Sequence, residues 1–171
     1  MNIRIRPFQD ADLPRFTRWL QQEHVRPWYQ PAQDWLTEVA GRQGEYAFIH
    51  HFIILAEETP IGFCQHYPYW KSGETWHGSI PREGTYSIDY LIGEPEYLRR
   101  GCGARAIRLL LADAFAQPGA RRVIVQPDEE NLASRNVLKA AGLAFDAQNA
   151  LFVLRREDLD ATIAPPANGM L

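Results

Sequence analysis

Two arginines and two glycines stand together in the stretch LRRGCG, residues 98–103, just before an amphipathic segment. Glycine costs about 1 kcal/mol relative to alanine inside a helix, so Gly101 and Gly103 indicate a place that needs bare backbone. The first N–H groups of a helix and its dipole attract anions, and Arg99 and Arg100 add positive charge. The stretch therefore predicts a phosphate-binding loop at a helix start, although glycines also serve simple strand-to-helix turns.

Asp89 is the only acidic residue of the strand-like segment TYSIDYLI. Under the two-residue repeat of a strand it shares a face with Ser87 and Leu91. A carboxylate in such a segment is a candidate general base, since burial tunes the pKa of catalytic acids and bases. The alternative is an edge carboxylate that faces solvent or pairs with an arginine.

Cys102 and the histidines are weaker candidates. A helix N-terminus lowers the pKa of a thiol, but Cys102 lies where the phosphate is expected and no base can be named for it. His50 and His51 are adjacent on a predicted strand and point to opposite faces, so they cannot bind one ion together. The sequence therefore predicts no metal site.

The elements that must position these residues follow from the hydrophobic pattern. Strands are predicted at NIRIRPF, YAFIHHFIILA, IGFCQHYPYW, TYSIDYLI, RRVIVQ and LFVLRR. Asp10 or Asp12 is expected to cap a first helix, AQDWLTEVAGRQ forms a second, and the segment after the glycines forms a third. A fourth helix runs from Asn131 to Ala141 and is closed by Gly142. The order β-α-α-β-β-β-α-β-α-β predicts an α/β domain.

Composition narrows the class of protein. With 171 residues, 46% of them hydrophobic and 23% charged, the chain fits one soluble globular domain. A net charge of −3 argues against nucleic-acid binding. We see no apolar run long enough to span a membrane and no signal-peptide core, and two cysteines fit a reducing cytoplasm. We expect one cytoplasmic domain over residues 1–160 and a flexible tail over residues 161–171.

The stretches LRRGCG and VIVQPDEENLASRNVLKAAGL together resemble the GNAT (Gcn5-related N-acetyltransferase) superfamily, whose cradle reads Gln/Arg-x-x-Gly-x-Gly/Ala. PIGFCQHY, SGETW and IDYLIGEPEYLRRGCG are similar in order and spacing to the aminoglycoside 6′-N-acetyltransferases, and the likeness runs from Ile3 to Leu154. The resemblance implies an α/β (α+β type) GNAT fold, with about four helices around a mixed sheet of about six to seven strands that splays between two parallel strands. It also implies acetyl-CoA as donor and a primary amine as acceptor.

The resemblance places Asp89 at the acceptor amine, which is mostly protonated at neutral pH and must lose a proton before it attacks. The main-chain N–H groups near Leu91 and Ile92 are expected to stabilise the oxyanion, because the following GEP interrupts strand pairing. The implied contacts to CoA are made by Leu91, Ile92, Leu98, Arg99, Arg100, Gly101, Cys102, Gly103, Ala104, Asn131 and Ser134.

Aromatic faces and acidic groups suit a polycationic sugar as acceptor. Two positions depart from the family pattern: Gln126 stands where the aminoglycoside enzymes tend to carry an aspartate, and Leu138 where many GNAT enzymes carry a tyrosine acid. The general acid stays unassigned, with Tyr90, Tyr97 or a water as candidates. The expected acceptor contacts are Trp28, Tyr29, Gln65, Ser72, Glu74, Trp76, Asp89 and Gln126.

Two other functions remain open at this point. One is acetylation of another small amine, such as a hydroxylysine-type siderophore precursor, whose carboxylate would call for an arginine; Arg82 is the only basic residue expected nearby. The other is a CoA-binding module without turnover. We expect a small cationic amine as partner, no nucleic acid or membrane, and a monomer or homodimer.

Overall fold

A mixed sheet forms the centre of the protein in a computed structural model that describes residues 1–159. Within that range the sheet has seven strands in the order β1-β2-β3-β4-β5-β7-β6. The strands are β1 (Ile3–Pro7), β2 (His50–Ala56), β3 (Thr59–Pro68), β4 (Thr85–Ile92), β5 (Arg122–Val125), β6 (Ala144–Asp146) and β7 (Leu151–Arg155). The helices are α1 (Leu13–Leu20), α2 (Ala32–Ala40), α3 (Cys102–Phe115) and α4 (Leu132–Ala140).

Helices cover both faces of the sheet. Alternate residues of β2 point to opposite sides: Ile53 joins the cluster around Phe16 and Trp19 of α1, while Ile54 joins the cluster around Leu110 of α3. Leu138 of α4 also belongs to the second cluster. Because both faces are buried, the central strands read as nearly continuous apolar runs, as in the segment FIILA of β2.

The sheet opens between β4 and β5, its one parallel pair in residues 1–159. Only Thr85–Ser87 of β4 pair with β5, whereas pairing with β3 continues to Ile92. The carboxyl-terminal half of β4, which carries Asp89, therefore has β3 on one side and a gap on the other. This splay is where the sequence predicts the reacting groups.

The strand and helix order agrees with the prediction apart from local differences, such as β3, which lies two residues earlier than predicted at both ends. The strand β6 was not predicted, because three residues are too few to show a periodic pattern. The strand β2 begins at His50 rather than at Tyr46. Asp12 does precede α1, but its carboxylate accepts from Arg6 (2.7 and 2.8 Å) and from Gln9 N–H (2.8 Å) instead of capping the helix.

The expected tail over residues 161–171 lies outside the described residues. Among the helices of residues 1–159, none combines the length and apolar character that crossing a bilayer requires. Cys64 and Cys102 are both free and buried in the described structure.

Candidate active site

Asp89 lies at the start of the splay and is held by a cross-strand partner. It is directly opposite Gln65 of β3, and Gln65 Nε2 donates to Asp89 Oδ2 at 2.8 Å. Gln65 is 2% exposed, so the hydrogen bond is sheltered from water. The register of β3 against β4 thus fixes the orientation of the carboxylate.

The surroundings of Asp89 favour its protonated form. The pKa of Asp89 is raised to about 7; burial is the largest cause, and the charges of Glu74 and Glu38 add to it. The hydrogen bond from Gln65 opposes these effects without cancelling them. A carboxyl group with this pKa is half ionised near neutral pH, which suits a general base.

Two cavities meet at Asp89. The first has a volume of about 170 Å³ and lies in the splay, between β4 and the start of α4. The second has a volume of about 280 Å³ and lies between β3 and α2. The residues that line both are Trp35, Tyr67, Glu74 and Asp89.

Glu74 is anchored at the boundary of the two cavities. Tyr67 Oη donates to Glu74 Oε1 and Trp76 Nε1 donates to Glu74 Oε2, each at 2.6 Å. Ser72 Oγ accepts from Glu74 N–H at 3.1 Å and donates to the Tyr69 carbonyl, so Ser72 shapes the loop that presents Glu74. Hydrogen bonds therefore join the predicted residues Ser72, Glu74 and Trp76.

Glu38 is an acidic wall residue that the sequence analysis missed. It lines the second cavity from α2, together with Trp35, Tyr46 and Phe48. Burial and, next, the charge of Glu74 raise the pKa of Glu38. The one available signal was the spacing of Trp35 and Glu38 on one face of α2, but the pattern does not show which face meets β3.

The two cavities are acidic and rich in hydrogen-bond acceptors. Their walls carry the carboxylates of Glu38, Glu74, Asp89 and Asp128, and within residues 1–159 neither wall includes a lysine or an arginine. The buried Gln65 Oε1 also lacks a donor in that range. Arg82, the arginine considered for a carboxylate-bearing acceptor, instead donates from Nε to His77 Nε2 at 3.2 Å and lines neither cavity.

The start of α3 has the backbone that a phosphate cradle requires. Gly101 precedes the helix at φ +78°, and the first intrahelical bond runs from Arg105 N–H to the Gly101 carbonyl. The N–H groups of Cys102, Gly103 and Ala104 precede that bond, and no side chain of the described residues caps them. Three adjacent donors at the positive end of a helix fit a pyrophosphate.

The residues around the cradle differ in how much space and exposure they leave for a bound phosphate. A Cβ on Gly101 would meet nothing within 4 Å, so open space borders this backbone. A Cβ on Gly103 would lie 3.4 Å from Val137 Cγ1, which is ordinary contact, so Gly103 is not required by lack of room. Arg99 is exposed at φ +57°, Arg100 stacks on Tyr97 at 5.2 Å, and Leu98 is half-buried before them.

The oxyanion donors expected on β4 need a correction. Tyr29 Oη donates to the Tyr90 carbonyl, and His24 Nε2 donates to the Ile92 carbonyl at 2.8 Å. The Leu91 carbonyl instead faces β3, since a Cβ on Gly62 would lie 2.2 Å from it. The N–H and C=O groups of one strand residue point to the same side, so Tyr90 and Ile92, not Leu91, direct their N–H groups away from β3.

The first turn of α4 closes the far side of the splay. Asn131 Oδ1 accepts from Ser134 N–H at 3.2 Å and so caps the helix. Ser134 Oγ lies 2.5 Å from Tyr90 Oη, which brings a hydroxyl pair to the wall of the first cavity. Leu138 carries no ionisable group and is fully buried in the core, so it cannot supply the proton that a tyrosine would supply.

The remaining predicted residues divide between the core and the wall of the first cavity. The Cys102 side chain is 1% exposed and faces the core, which excludes it as a surface nucleophile and leaves only its N–H group. Gln126 lines the first cavity but donates from Nε2 to the Ala150 carbonyl at 3.0 Å. Trp28 and Tyr29 line the first cavity from the loop before α2.

Comparison with known proteins identifies the fold's family. The profile of the acetyltransferase (GNAT) domain family matches residues 9–151. The chain belongs to the GNAT acetyltransferase family. It is an acetyl-CoA-dependent N-acetyltransferase of the GNAT type, and the superfamily predicted from its motifs is confirmed.

The following three relatives are at most 25% identical to this chain. The aminoglycoside N(6′)-acetyltransferase type 1 of Klebsiella pneumoniae is 25% identical over 159 residues, covering 88% of this chain and 77% of that protein. AAC(6′)-Ib in complex with ribostamycin and coenzyme A is 22% identical at a TM-score of 0.79, covering 92% of this chain and 96% of the other. Mycobacterium smegmatis RimJ in complex with CoA-disulfide is 18% identical at a TM-score of 0.71, covering 94% and 86%. These two structures share the fold with this chain.

Proposed function

We propose that the protein transfers the acetyl group of acetyl-CoA directly to the 6′-amine of an aminoglycoside. The observation that carries this proposal is the pair of acidic cavities that meet at Asp89. An aminoglycoside is a polycation, and its ammonium groups would find carboxylates on both sides of the reacting amine. The aromatic walls would stack on the faces of its sugar rings.

The residues around the splay suit the chemistry. Acetyl-CoA supplies a thioester carbonyl when bound, and the three N–H groups at the start of α3 would hold its pyrophosphate. Asp89 takes one proton of the acceptor ammonium, and the amine nitrogen then attacks the thioester carbon. The C–N bond forms as the C–S bond breaks, CoA leaves as its thiolate, and the second proton that the nitrogen loses converts this thiolate to the thiol. The N–H groups of Tyr90 and Ile92 face the gap and would stabilise negative charge on the acyl oxygen.

The same features weigh against a carboxylate-bearing acceptor. A hydroxylysine-type precursor would bring its own carboxylate into walls that already carry Glu38, Glu74 and Asp128. Like charges repel strongly where burial excludes water, and no cation of the described residues lines the cavities to offset the repulsion. The aminoglycoside is therefore the preferred acceptor.

Thiol release from acetyl-CoA with a panel of acceptors tests the proposal. We expect turnover with kanamycin-type compounds that carry a free 6′-amine and none with analogues that carry a 6′-hydroxyl, because the latter offer no nucleophilic amine at that position. A lysine-derived hydroxylamine serves as the anionic competitor. Turnover of that compound with no turnover of any aminoglycoside would refute the choice of acceptor, and binding of acetyl-CoA with no turnover of any amine would indicate a silent module.

A further inference from the structure

A cluster of two histidines and one aspartate lies on the α3 side of the sheet, away from the acidic cavities. His50 of β2 and His66 of β3 are opposite each other in the antiparallel register, so their side chains share a face. Their ring centroids are 4.6 Å apart. Asp113 of α3 completes the cluster, with Oδ1 at 2.7 Å from His66 Nε2.

The three side chains offer a donor set that imidazole-binding metals accept. One ligand atom from each residue lies within 4.8 Å of the others, so small rotations of the side chains bring them around a single ion. Two imidazoles and a carboxylate are typical ligands of Zn²⁺, which binds such groups at about 2.0–2.2 Å and takes water in an open fourth position. The ligands come from three separate elements of the fold.

One side of the cluster is open to solvent, so an ion can enter. His66 is fully buried, whereas the Asp113 side chain is 41% exposed and His50 is exposed. An ion can therefore arrive from solvent and meet His66 as its inner ligand.

We propose that His50, His66 and Asp113 bind a divalent zinc-type cation and thereby tie α3 to β2 and β3. Asp113 is about 16 Å along α3 from Cys102, so this site is separate from the phosphate cradle. The sequence prediction of no metal site compared the neighbours His50 and His51, whereas the register of the sheet pairs His50 with His66 instead. The proposal does not depend on the identity of the acceptor.

Titration of untagged protein with Zn²⁺ alone, followed by calorimetry, tests the site. We expect one ion per chain and a rise in melting temperature, since a ligand that binds only the native state stabilises it. Co²⁺ should give the visible absorption of a four-coordinate nitrogen and oxygen site. His50→Gln, at an exposed position, and Asp113→Asn should each weaken binding by about tenfold or more.

His77→Gln is the matched control, because His77 lies outside the cluster and bonds through Nδ1 to the Ile80 carbonyl. It should leave the Zn²⁺ affinity unchanged. The proposal is overturned if the wild type shows no saturable binding, or if His50→Gln binds Zn²⁺ as the wild type does. In either case His66 and Asp113 form a hydrogen-bonded pair that holds α3 without an ion.

Discussion

Asp89 must be charged to accept a proton, yet its surroundings disfavour the charge. Burial raises the pKa of Asp89 from its ordinary 3.8 to about 7, so ionisation is harder in the folded chain than in the unfolded one. A carboxyl group of this kind stabilises the fold most at low pH, below its ordinary pKa, and loses that contribution as pH rises toward 7. The expected catalytic group is thus a source of instability at working pH.

Replacement of Asp89 by asparagine should separate its effect on catalysis from its effect on stability. Without the base, turnover should fall by about a hundredfold or more while acetyl-CoA affinity stays the same. The wild-type rate should rise with pH through about 7. Asp89→Asn should also melt at a higher temperature than the wild type at pH 8, with a smaller advantage at pH 5. Equal turnover of the two proteins between pH 6 and 9 would contradict the assignment.

Glu38 provides a second test among single residues, because it lines the acceptor cavity without touching the proposed base. Glu38→Gln keeps the shape and removes one charge, so we expect the KM for a polycationic acceptor to rise about fivefold, which is roughly 1 kcal/mol. At pH 9 the kcat should change little, because Asp89, whose pKa of about 7 is raised in part by Glu38, is ionised there in both proteins. Asp34→Asn is the control: Asp34 is exposed on the same helix and outside both cavity walls. If both variants raised the KM equally, Glu38 would act only through the overall charge of the protein and not through a place in the cavity wall.

At the scale of elements, the turn from β4 into α3 determines where the cradle lies. Gly101 has φ +78° and Gly119, just after α3, has φ +74°, and a Cβ at either glycine would meet nothing within 4 Å. Alanine is strained in this region by about 1–2 kcal/mol, so Gly101→Ala and Gly119→Ala should lower stability alike. Only Gly101→Ala should raise the KM for acetyl-CoA, by about fivefold or more.

Chemical denaturation and initial rates of both variants check this prediction. An unchanged KM in a folded Gly101→Ala protein would show that the backbone at this turn does not hold the cofactor. Gly103→Val is a less clean probe, because its extra methyl groups would press on Val137 of α4. Any loss of affinity could then come from displaced helices.

The sequence predicted the elements better than it predicted their mutual contacts. Asp89 stands out as a candidate because an acidic residue breaks an apolar strand pattern, and Gly101 because glycine opposes a helix start. Glu38 was missed, since periodicity does not reveal which face of α2 meets β3. The direction in which the N–H groups of Tyr90 and Ile92 point also depends on how β4 pairs with β3, and a single sequence does not specify this register.

At the scale of the whole molecule, the two hydrophobic clusters support the strands, and the splay carries the proposed reacting groups. They fill opposite faces of the sheet and keep β3 and β4 rigid, so the hydrogen bond from Gln65 to Asp89 sits on a fixed frame. Gln65 Oε1, a buried acceptor without a partner in the described residues, lies in the wall of the second cavity. The net charge of −3 does not reveal how acidic the two cavities are, because the arginines of the described residues lie outside both cavity walls.

The tryptophans are distributed unevenly around the same cavities. Three of the five, namely Trp28, Trp35 and Trp76, line the cavity walls. Trp19 is sealed in the core, and Trp70 packs on Tyr86 at 5.4 Å. Three of the five indoles therefore border the proposed acceptor site, so we expect binding of an acceptor to change the intrinsic tryptophan emission, which would report on occupancy without any added label.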